Sequence, residues 1–179
     1  VRRALLLLLT VIALLTTTAP ACKPIEGSAH FDGPPWATKE WATGKFDWLP
    51  VFNGTPTDGI LFANPDNGLL LISGTRNVNG RKPDPLLESG TEFLNEARQP
   101  GEDHLSFKQA AEHVEAKAAT LARLKEFEST ALVMNNPKGP CGWASRIGCV
   151  RSVSRILPSG YTMVVRWPNG SRTFHGQAK

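Results

Sequence analysis

The chain has 179 residues, of which 41% are hydrophobic and 20% charged, with a formal net charge of +4. This is room for one domain with a real core and short for two, and it excludes a fibrous, low-complexity or wholly disordered chain. The 14 prolines and 16 glycines predict many turns.

The N-terminal stretch is a targeting pattern. Arg2-Arg3 is basic, an apolar run follows from Ala4 to Leu15, and Ala19-Pro20-Ala21 has the small-residue spacing of a signal-peptidase site. The expectation is a signal peptide over 1–21 and a secreted mature chain. The apolar run is too short for a stable transmembrane span. Cleavage after Ala21 exposes Cys22, where a lipoprotein carries its lipid. Ala19 stands where such sites usually have Leu, so plain secretion is the expectation and lipidation of Cys22 the alternative. Loss of Arg2 and Arg3 takes the 20 basic residues to 18 against 16 acidic ones, a surplus that permits nucleic-acid binding without requiring it.

Residues 22–50 read as a flexible segment rich in Pro and Trp, because neither a helical nor an alternating period runs through it. A domain over 51–179 follows. Gly59–Ala63 and Leu69–Ser73 flank the turn-forming Asn64-Pro65-Asp66-Asn67-Gly68 and predict an antiparallel hairpin. Residues 74–105 read as a long polar loop with a short helix around Leu86–Arg98. A helix then opens near Ser106, where Gln109 completes a capping box, or nearer Glu112, and ends near Phe127. Its apolar face is Val114, Ala118, Leu121 and Ala122; Lys117, Arg123, Lys125 and Glu128 suit its wet side. Thr130–Met134 predicts a buried strand, Cys149–Ile156 a short helix, and Tyr161–Trp167 and Ser171–Phe174 two strands around the turn Pro168-Asn169-Gly170. The order is β-β-loop-α-β-α-β-β, an α/β sandwich around one sheet.

The residues that carry chemistry lie in the second half. His113-Val114-Glu115 opens a helix, a buried strand follows, and Pro140-Cys141 and then Cys149 come after it. This approximates the His-x-Glu…Pro-Cys-x-x-Cys pattern of zinc deaminases. One imidazole and two thiolates bind Zn²⁺ tetrahedrally and leave a fourth position for water, whose pKa the metal lowers. A carboxylate that is not a ligand must shuttle the proton, and Glu115 is spaced to do so. Each piece alone is weak evidence. Two cysteines in an exported chain are, by themselves, more often a disulfide than a metal site, and that reading of Cys141 and Cys149 stays open. No Ser/His/Asp ordering, phosphate-binding glycine loop or dinucleotide motif is present.

The stretches His113–Ala119, Val133–Cys141 (with its Asn135-Asn136-Pro137-Lys138-Gly139-Pro140-Cys141 string), Leu157-Pro158 and Met163–Val165 resemble the DddA-like deaminases, toxin domains of bacterial polymorphic and interbacterial systems. The resemblance covers residues 51–176. It implies a cytidine deaminase-like three-layer sandwich, with a mixed central sheet and helices carrying the zinc ligands. It also implies conversion of cytosine to uracil in DNA, double- or single-stranded. His113, Cys141 and Cys149 match the zinc ligands and Glu115 the proton shuttle, and an immunity protein is the implied partner. The cysteines here are eight positions apart rather than three, so Gly142 to Gly148 forms an insert whose end glycines let it bulge. Asn135, Asn136, Trp143 and Arg146 are candidate substrate contacts. For Trp143 packing of the insert is the equal alternative, and for the asparagines capping of the loop. Lys138, Arg151, Arg155, Arg166 and Arg172 are candidate phosphate contacts. Two other functions stay open: an exported, disulfide-stapled, inactive binding module of the same fold, and a deaminase of RNA or free nucleosides.

Overall fold

The computed structural model describes residues 33–80, 82–142 and 148–179. The expected signal peptide and Cys22 lie outside these residues. Among the described residues no helix is long and apolar enough to cross a membrane.

The chain begins with α1 (Lys39–Phe46), capped by Thr38, whose side chain accepts from the Trp41 amide at 3.2 Å. The flexible segment expected over 22–50 therefore holds a helix in its second half. Its eight residues, KEWATGKF, are too few to display a period, and only Ala42 is buried. Aromatic rings hold the helix to the sheet instead. Trp41 meets Phe62 edge-on at 4.9 Å and Trp36 at 4.8 Å, and its indole nitrogen donates to the Pro65 carbonyl at 3.1 Å.

The expected hairpin is β1 (Asp58–Phe62) and β2 (Gly68–Ile72), paired antiparallel with Ile60 opposite Leu70. The short helix expected around Leu86–Arg98 within the loop is α2 (Pro85–Glu96), and the helix expected to open near Ser106 starts two residues earlier as α3 (His104–Ala111). Asp84 caps α2, which has proline in its first turn. Asp103, not Ser106, caps α3. Gly90 in α2 permits close packing, because a Cβ there would stand 2.7 Å from the Thr120 hydroxyl.

The single helix expected to run to Phe127 is interrupted. His113 takes extended backbone angles, φ −76° and ψ 145°, and is the N-cap from which α4 (Val114–Leu124) restarts. This helix is buried nearly all round, Lys117 and Glu115 included, so the wet face assigned to Lys117 is a second correction. Its four alanines let it pass closely between the sheet and its neighbouring helices.

The rest follows the sequence reading closely: β3 (Ser129–Met134), α5 (Cys149–Ile156), β4 (Thr162–Trp167) and β5 (Gly170–His175). The sheet order is β2-β1-β3-β4-β5, with β3 and β4 parallel and every other pair antiparallel. A parallel pair needs a crossover, and α5 supplies it. Alternation sorts the side chains into two faces. Leu61, Leu71, Leu132, Met134, Met163 and Val165 meet the apolar sides of α2 to α5, while Ile60, Phe62 and Val133 meet α1 and Leu49. The result is a three-layer α/β/α sandwich on a mixed sheet.

Candidate metal and catalytic centre

Two helix starts and one loop converge beyond the end of β3. His113 caps α4 with its backbone, and its imidazole makes no capping bond. Cys149 is the first residue of α5, behind Gly148 as N-cap. Cys141 ends the loop that leaves β3. The His113 Nδ1 lies 3.0 Å from the Cys149 sulfur and 3.4 Å from that of Cys141, and the two sulfurs are 3.3 Å apart. Both thiols are free in this structure, with the sulfurs farther apart than a bonded pair. Among the described residues this is the one His/Cys/Asp/Glu group that could hold a metal ion. An imidazole with two thiols is the donor set of a catalytic zinc site with one open position.

The local electrostatics follow from the contacts. Hydrogen bonds from Cys149 and His113 pull the Cys141 thiol down to about 4, while the bond to Cys141 and burial push Cys149 well up. The bond to Cys141 also raises His113. Glu115, only 3% exposed, sits in the first turn of α4 beside these groups. Burial raises its carboxyl above the ordinary range, against the pull of its own backbone contact and of His113.

The loop between β3 and Cys141 is built by local chemistry. Asn136 Oδ1 accepts from the Lys138 amide at 3.0 Å, and Gly139 turns at φ +68°. Gly139 lies against the Trp167 indole, where a Cβ would fall 2.5 Å from the ring, and Asn169 Nδ2 donates to the Pro137 carbonyl at 3.0 Å. The β4–β5 hairpin thereby props the loop that carries Cys141. Gly142 and Gly148 touch back to back, so the neck of the insert is closed and the two cysteines beside it are drawn together.

A cavity of about 340 Å³ is lined by His113, Glu115 and Cys141 together with Asn136, Met134, Thr55, Thr57, Ser73 and Gly74. Its size suits a small ring. The two candidate asparagines separate here, because adjacent residues at a strand end point to opposite faces. Asn136 lines the cavity, and its Nδ2 makes no hydrogen bond with the described residues. Asn135 points away and is fully used. It accepts from the Asp58 amide at 3.0 Å and donates to Pro50 O at 2.9 Å and Asp58 Oδ2 at 3.2 Å. Its part as a substrate contact is therefore corrected to a clamp joining β3, β1 and the segment before it. Trp143 and Arg146 lie outside the described residues.

Two candidate phosphate contacts are committed within the fold. Arg155 grips Glu102 through two bonds of 2.9 and 3.0 Å, and Arg166 donates to the Ala37 carbonyl. Arg172 lies over the Phe174 ring, while Lys138 and Arg151 are exposed. The sequence reading missed Lys117, whose ammonium is buried with Asp84 at 2.7 Å. Its signal was a single lysine in the alanine-rich run Val114–Ala122.

A mixed five-stranded sheet between helical layers, with a His/Cys/Cys group at two helix starts and a buried glutamate beside it, defines the cytidine deaminase-like class. Residues 34–179 match the family model of the SCP1.201-like deaminases, and the chain belongs to that family. No curated protein matches it. The chain is a deaminase.

Proposed function

We propose that this protein is an exported, zinc-dependent deaminase that converts cytosine to uracil in DNA, a DddA-like interbacterial toxin. The observation that carries the reading is the cluster of His113, Cys141 and Cys149 with Glu115 buried beside it, next to a cavity that His113, Glu115 and Cys141 line. His113, Cys141 and Cys149 hold the zinc, and the donor set fits it. When bound, zinc supplies the activation of water as a nucleophile near neutral pH.

The chain's own residues do the rest. Glu115 takes a proton from the attacking water, passes it to the ring nitrogen beside the reacting carbon, and delivers protons to the departing amine. Water and cytosine become uracil and ammonia. A carboxyl whose pKa burial has raised suits a group that must both accept and donate. Asn136 Nδ2 and the Ser73 hydroxyl offer donors to the ring's carbonyl edge across the cavity. The partners under this reading are nucleic acid and, in the producing cell, an immunity protein. The free thiols weigh against the disulfide-stapled binding module.

The test is zinc content of residues 23–179 by elemental analysis, with uracil formation on single- and double-stranded DNA beside RNA and cytidine. One zinc per chain and uracil in DNA is the expected result. Turnover of RNA or cytidine alone would move the substrate. Absence of zinc, with Cys141 and Cys149 joined, would overturn the enzyme.

A further inference from the structure

Ser73 and Gly74 line the cavity together with His113 and Glu115 and form part of its wall. They begin a strap that runs from the end of β2 to the start of α2. Nothing apolar holds this strap down: among its described residues only Asp84 is buried, and Val78 is 45% exposed. A wall of this kind needs some other anchor, because residues with little buried surface open at small cost.

The anchors are polar. Ser73 exchanges bonds with Thr57, its amide donating to Thr57 O at 2.9 Å and its hydroxyl accepting from the Thr57 amide at 2.8 Å. Beyond Ser73 the chief anchor is Lys117. Its side chain is fully buried, and its ammonium spends all three donors on the strap: Ile72 O at 2.7 Å, Arg76 O at 3.2 Å and Asp84 Oδ2 at 2.7 Å. Ile72 and Arg76 bracket the wall residues Ser73 and Gly74, so the lysine grips the backbone on both sides of the wall. The Gly74 amide adds a bond to Glu112 O at 2.7 Å, at the end of α3 next to His113. Asp84 fixes the far end of the strap, because its other oxygen caps α2. Lys117 follows Glu115 by two residues and His113 by four. One short helix and its N-cap therefore carry a candidate metal ligand, the proposed proton shuttle and the clamp on the Ser73–Gly74 wall.

A buried ion pair contributes little net stability compared with apolar residues of the same volume, but it does specify geometry, because only matched donors and acceptors satisfy it. An aliphatic side chain at 117 could fill the space and could not hold two carbonyls at fixed positions. We propose that Lys117 is a positioning residue of the deaminase site, fixing the Ser73–Gly74 wall against which the substrate ring is held. This rests on the deaminase reading above.

The test compares the parent with Lys117→Met/Asp84→Asn, which removes both charges and leaves neither partner buried alone. If that variant does not fold, Asp84→Asn, which keeps the helix cap, serves in its place. Zinc content, kcat and KM on cytosine-containing DNA, and amide hydrogen exchange over residues 73–80 are measured on each. The expected result is a folded, zinc-loaded variant with faster exchange over 73–80 and kcat/KM lower by roughly tenfold to a hundredfold, the loss falling mainly on KM. A purely structural pair would lower the melting temperature and leave KM alone. Unchanged KM in the folded, zinc-loaded variant overturns the proposal. If the parent carries zinc but deaminates nothing, the deaminase reading has failed, and unchanged exchange over 73–80 then overturns the clamp independently.

Discussion

Replacing Gly148 by alanine should damage the metal site and little else. Gly148 has φ −74° and ψ 167°, ordinary extended backbone that any residue adopts, so the substitution adds no torsional strain. The methyl group, however, would point into Gly142, standing 2.7 Å from its carbonyl oxygen and 2.9 Å from its carbonyl carbon. The methyl carbon comes nearer still to the Gly142 Cα, and carbon atoms rest about 3.5–4.0 Å apart, so the neck must open by more than about 1 Å. Cys141 and Cys149 are the residues immediately outside that neck. A metal site tolerates distance errors of about 0.2 Å. Overpacking of this kind costs about 1–3 kcal/mol, and the cost falls on the state in which both sulfurs must converge. At about 1.4 kcal/mol per factor of ten, zinc affinity should fall roughly 5- to 150-fold. The assay is competition for zinc against a chromophoric chelator. Gly44→Ala is the control, since a Cβ there meets nothing within 4 Å. Zinc affinity within a factor of about two of the parent would refute the claim that the glycine contact holds the cysteines together.

Other outcomes are expected. Glu115→Gln should keep one zinc per chain and lose about 10²- to 10⁴-fold in turnover, read as uracil released per unit time, because the isostere fills the same space and moves no proton. The adjacent asparagines should behave oppositely. Asn135→Ala strands the Asp58 amide and should cost about 1–3 kcal/mol in denaturant unfolding with KM unchanged. Asn136→Ala should raise KM and leave the unfolding midpoint close to the parent's. Trp41→Ala removes the edge contact with Phe62 and the bond to Pro65, and should destabilise the fold by about 3 kcal/mol while zinc binding persists.

Much of this molecule is written in short stretches of its sequence. The turn-forming Asn64–Gly68 between two apolar runs makes the β1–β2 hairpin, and Pro168-Asn169-Gly170 makes the β4–β5 hairpin, because turn chemistry and alternation are local. The start of α5 at Cys149 and the order of His113, Glu115, Cys141 and Cys149 were legible for the same reason, and the family resemblance of the asparagine-rich loop rests on contiguous residues. Other features depended on what the chain meets far from itself. Only the fold shows that α3 ends two residues before His113 and that His113 is a cap, since the break serves convergence with cysteines 28 and 36 positions away. Helix α1 is too short for a period and exists by docking on Phe62. Asn135 and Asn136 are neighbours in sequence, and a strand end sends one to the clamp and the other to the cavity. Lys117 reads as a solvated helix face until Asp84, 33 residues earlier, is brought against it. A charge can be buried only where a partner is delivered to it, and that delivery is a property of the tertiary structure.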